Sequence, residues 1–135
     1  MTDATFEWSD VEQTVMVVRQ NSHSSWSIDD QLAFMDDLLD TIMRRRQPTI
    51  IIVVCAPDNT PIANYMTLIN SLRHRQLDNI KGAVFVKATI YLRTFVDLAQ
   101  RLKVSAAKEL HYVESLQEAL LIADRVLVKF SNANK

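Results

Sequence analysis

Glycine is nearly missing from this chain: Gly82 stands alone among 135 residues. Phosphate-cradling Walker loops and dinucleotide fingerprints need several glycines so that backbone amides can approach the phosphates. Neither nucleotide hydrolysis nor hydride transfer to a nicotinamide is therefore expected. Cysteine is equally scarce, with Cys55 alone, so no internal disulfide can form and a reducing compartment is indicated. No apolar run exceeds Ile50 to Pro57, far short of the ~20 residues that cross a bilayer. The opening Met1-Thr2-Asp3-Ala4 lacks both the basic start and the apolar segment of a secretory signal, and a cytoplasmic protein is expected. Nor is there a surplus of one charge. A net charge of −1 leaves no electrostatic footprint for nucleic acid or an anionic membrane. The three histidines, His23, His74 and His111, have no second ligand at metal spacing, so no metal or cofactor is expected.

What is present is an ordinary globular composition, 48% hydrophobic and 23% charged. The length suits one domain, read as residues 1–130 with a polar tail over 131–135. Its most distinctive stretch is Thr49 to Cys55, TIIIVVC, with five consecutive β-branched aliphatics and no polar residue among them. That pattern belongs to a strand covered on both faces, the usual centre of a parallel sheet. Before it, alternation predicts two short strands, Thr5 to Ser9 and Thr14 to Arg19, paired as a hairpin. Ser27 then caps a helix with Asp29 and Asp30 in its first turn and Arg44, Arg45 and Arg46 in its last, a charge order that suits the helix dipole. Ile28, Leu32, Met35, Leu39 and Ile42 form its inner face.

After the central strand, Thr60 reads as a cap and Pro61 as the first residue of a helix ending near Gln76. Ala83 to Val86 is a further buried strand, followed by a helix from Thr89. Glu109 to Val113 makes a last short strand. Ser115 and Glu118 then form a capping box that opens the final helix. The order is β-β-α-β-α-β-α-β-α, an α/β single domain with a mostly parallel central sheet, an N-terminal hairpin and four helices.

Two local features of this order resemble the STAS superfamily, the domain of sulfate transporters and anti-sigma-factor antagonists. Asp58-Asn59-Thr60-Pro61-Ile62 stands where that family has an Asp-Ser-Ser/Thr-Gly-like turn, and Tyr112 to Leu120 is similar to its closing strand and helix. The resemblance implies a non-enzymatic module of bacterial regulation that binds a protein partner, such as a kinase-like regulator, or a small ligand. It also implies a phosphorylation switch at the helix start. Here Asn59 replaces the phosphorylatable serine, and Thr60 serves first as a helix cap. The expected surface joins Asp58, Asn59 and Thr60 with Lys87 and Thr89 at the ends of the strands, and with Trp26 in the loop before the first helix. Three alternatives stand beside it. One is a small enzyme using Asp58 or Cys55, and another is a receiver-like domain using Asp58 and Thr89. The last is a homo-oligomeric structural protein with Trp8, Leu38 and Leu121 exposed.

Overall fold

The computed structural model describes residues 4–20, 27–55, 65–75, 77–102, 104 and 109–133. They form β1 (Ala4–Trp8), β2 (Val15–Gln20), α1 (Ile28–Arg45), β3 (Thr49–Val54), α2 (Tyr65–Arg73), β4 (Ile80–Val86), α3 (Ile90–Arg101), β5 (Leu110–Val113) and α4 (Leu116–Ala133). The α/β architecture and the order of elements are those the sequence predicts. Sheet order is β1-β2-β3-β4-β5, with β1 antiparallel to β2 and every other pair parallel.

This order fixes where the helices lie. Each crossover from β2 to β5 advances in the same direction, and crossovers of one hand then put their helices on one face. The side chains agree. Met16 and Val18 of β2 and Ile51 of β3 pack against Leu38, Leu39 and Ile42 of α1, while Phe85 of β4 packs against Leu92 and Val96 of α3. Ile69 of α2 joins Ala99 of α3 in the outer part of that layer. Among the described residues the opposite face has α4 alone, where Ala119, Ala123 and Val126 meet Val15, Val17, Ile50, Ile52, Val84, Val86 and Val113. Two alanines with no exposed surface let the helix lie close to the strands.

Ile50 and Ile52 face α4, whereas Ile51 faces α1, so β3 is covered from both sides. Burying one such side chain contributes about 1.5–3 kcal/mol. Ser27 does cap α1, its hydroxyl accepting from the Asp30 amide at 3.1 Å, and Arg44 and Arg45 occupy the last turn.

Some boundaries differ from the sequence reading. β4 begins at Ile80 rather than Ala83, because Ile80 to Gly82 pair with β3 across a register shift between Thr49 and Ile50. Lys and Gly in that stretch mask a strand whose pairing is decided by its neighbours. The helix α4 continues to Ala133, into what reads as a tail. Leu38, expected at the surface, is buried against β2 and β3, and Trp8 is half-buried in the same cluster. Leu121 is exposed, as expected.

Candidate functional site between the hairpin and the last helix

Asp58, Asn59, Thr60 and Trp26 lie outside the described residues, so of the expected strand-end surface only Lys87 and Thr89 have a described place. Lys87 is exposed at the end of β4, its amide donating to the Val113 carbonyl at 2.9 Å, with a left-handed φ of 56°. Thr89 is the N-cap of α3, its hydroxyl accepting from the Leu92 amide at 3.3 Å. Open α/β sheets bind ligands where the strand order reverses, and the four parallel strands here never reverse. Cys55, at the end of the central strand, is buried, and that burial pushes its thiol up to about 12, so it stays protonated and unreactive.

A concavity lies elsewhere. With one helix on its second face, the sheet leaves an open groove of about 650 Å³ beside α4. The groove is lined by the hairpin turn and by one flank of the helix, including Leu120, Leu121, Leu127 and Val128. Its lining is mainly apolar, and Leu121 and Val128 are 62% and 52% exposed. From Gln117 to Val128 the helical wall runs roughly 16 Å at the standard rise per residue. Such a volume falls within the range of small-molecule sites.

The facing wall is held rigid by local bonds. The Ser9 amide donates to the Val15 carbonyl at 2.8 Å, and the Gln13 amide to the Asp10 carbonyl at 3.2 Å. The Asp10 carboxylate accepts from the amides of Thr14 and Val15 and from the Thr14 hydroxyl. Burial raises this carboxyl, but those hydrogen bonds outweigh burial and hold it below the usual carboxylate range. At the tip, the Gln47 side-chain amide donates to the carbonyls of Glu12 at 2.6 Å and Gln13 at 3.0 Å, tying the turn to the α1–β3 connection. The groove is thus preformed on one side by a stapled turn and on the other by a packed helix.

None of the groove residues was singled out as a site in the sequence except Leu121, which was read only as a surface residue. A signal was nonetheless available. The helix α4 carries Leu120, Leu121 and Val128 in addition to the inner face of Ala119, Ala123 and Val126, more apolar surface than one buried face needs. A second hollow, about 420 Å³ at the end of α1, is lined by Asp40, Met43, Arg44 and Arg46 and is too polar for a similar role.

The profile of the family described as divergent CRAL/TRIO domain matches residues 12–129, every element from β2 into α4. The chain belongs to the divergent CRAL/TRIO domain family. This corrects the STAS resemblance, which rested on a turn that departs from the STAS pattern at Asn59 and on a closing strand and capped helix common to many α/β folds. Membership of the CRAL/TRIO family supports a ligand-binding domain, typically one for small lipophilic molecules. No curated protein and no solved structure matches the chain. Among the described residues no helix is long and apolar enough to cross a membrane, and no three His, Cys, Asp or Glu side chains are placed to hold a metal ion.

Proposed function

We propose that this CRAL/TRIO domain is a non-enzymatic carrier or sensor that takes a small lipophilic ligand into the groove between the β1–β2 hairpin and α4. The observation that supports it most is the exposure of Leu121 and Val128 along a preformed apolar groove. Leaving such side chains in water costs stability that a bound apolar ligand recovers. Cytoplasmic location fits the single buried thiol.

Binding of a fluorescent alkyl probe, with native mass spectrometry of the freshly purified protein for a co-purified lipid, tests the reading. Leu121→Arg should abolish probe binding while leaving the fold intact, because Leu121 is already largely exposed. Undiminished binding by Leu121→Arg together with loss in Lys87→Glu would place the ligand at the strand ends instead.

A second reading, a regulatory module that docks a protein partner on the same surface, is favoured by Val11, which is 98% exposed at the hairpin tip. Val11→Ser would weaken partner capture but leave probe binding unchanged.

A further inference from the structure

The apolar groove has a one-sided charge pattern. Among its described lining residues are three carboxylates, Asp10, Glu12 and Asp124, and no lysine, arginine or histidine. Asp10 is committed to the hairpin, where Thr14 and Val15 fill its oxygens. Glu12 and Asp124 are exposed, and neither forms an ion pair among the described residues. Some acids elsewhere in the fold have a cation beside them: Arg75 pairs with Asp36, Arg101 with Asp97, and Lys129 with Glu109. The groove thus sets two carboxylates without an ion pair beside its exposed apolar side chains.

We propose that the ligand of this groove is a single-chain amphiphile with a cationic head, its alkyl part lying along Leu120, Leu121, Leu127 and Val128 and its head against the carboxylates of Glu12 and Asp124. The inference rests on the groove being the lipophilic-ligand site and adds which class of ligand it takes. An anionic head at the same place would meet two unpaired negative charges with no donor cation to offset them. Selectivity thus comes from repulsion of the wrong head as well as attraction of the right one. Both carboxylates are open to solvent, so the discrimination is sensitive to salt.

The test compares dodecyltrimethylammonium, dodecyl sulfate and an uncharged dodecyl glycoside, each below micelle-forming concentration and with the far-ultraviolet spectrum monitored for unfolding. The wild-type protein should bind the ammonium compound about tenfold more tightly than the sulfate at low salt, a difference that shrinks as salt is raised. In the Glu12→Gln/Asp124→Asn double variant the two charged probes should bind alike, with the glycoside unaffected. Equal or tighter binding of dodecyl sulfate by the wild type, or a preference that survives the double substitution, would overturn the proposal while leaving the groove as the lipophilic site. If none of the three probes binds, the groove reading itself fails, and the head-group proposal with it.

Discussion

Asp10 and Thr14 close the β1–β2 hairpin between them: the Thr14 amide donates to the Asp10 carboxylate at 2.9 Å, and the Thr14 hydroxyl donates to the same group. The turn that forms one wall of the groove is thus built on a charged acceptor. Because the folded-state pKa of Asp10 lies below the ordinary value of 3.8, its contribution is fully present above that value. It is lost as pH falls from there through the depressed folded value. Asp10→Asn should cost about 1–2 kcal/mol at neutral pH. Thermal melts of both proteins from pH 7 downward should converge below pH 3.8 as the wild-type carboxyl becomes protonated.

A chain with one glycine must use other residues wherever the backbone turns left-handed. Gln13, Arg46 and Lys87 do so, at φ values of 57°, 52° and 56°. Arg46 terminates α1 in this conformation, the position that most often falls to glycine. Holding a side chain there costs roughly 1–2 kcal/mol, partly offset by the greater unfolded-state entropy of glycine. Arg46→Gly should therefore raise stability by about 0.5–1 kcal/mol, measured by urea unfolding. Arg46→Ala, which keeps the Cβ, should show no such gain.

The thiol of Cys55 should act as a reporter of unfolding. It is buried between β3 and α3 beside Phe85, Leu92 and Val96. With its pKa raised to about 12 by burial, it is neutral at every ordinary pH. Alkylation by iodoacetamide at pH 8 should be slow in the native protein and rise to the free-thiol rate in denaturant. The same shift predicts declining stability above pH 9, across the interval up to about 12, where only the unfolded thiol ionises.

Most of the fold could be read from the sequence because its signals are local. The run Ile50 to Val54 can only be a two-sided strand, and the Ser27 cap with its acidic first turn and basic last turn marks α1 at both ends. The groove escaped notice because it depends on strand order, which no local pattern encodes. A monotonic β2-β3-β4-β5 order sends three helices to one face and leaves α4 alone on the other, so the hollow opens beside α4. Leu121 read as an isolated surface residue; only the approach of the hairpin turn makes it a wall. Family membership was obscured for a similar reason, since a polar turn after a buried strand and a capped closing helix recur across α/β folds.

Gly82 is the one position where the chain needs a glycine for space rather than for a turn. A Cβ built there would lie 2.9 Å from the Glu109 carbonyl oxygen and 3.4 Å from Ile50 Cδ1. The carbonyl is not free to give way, because it accepts from the Ala83 amide at 2.9 Å and so fixes the start of β5 against β4. The edge strand β5 is short, Leu110–Val113, and a shift at Glu109 would be felt along much of it. Gly82→Ala should therefore cost about 1–3 kcal/mol, as overpacking does elsewhere. Its signature is regional. In native-state hydrogen exchange the Ala83 and Lys87 amides, both bonded to carbonyls of the 109–113 stretch, should lose protection first. The Ile50 amide, bonded to the Thr14 carbonyl on the other side of β3, should keep its protection until global unfolding. Uniform loss across all three amides would instead mean that β5 has no separate opening.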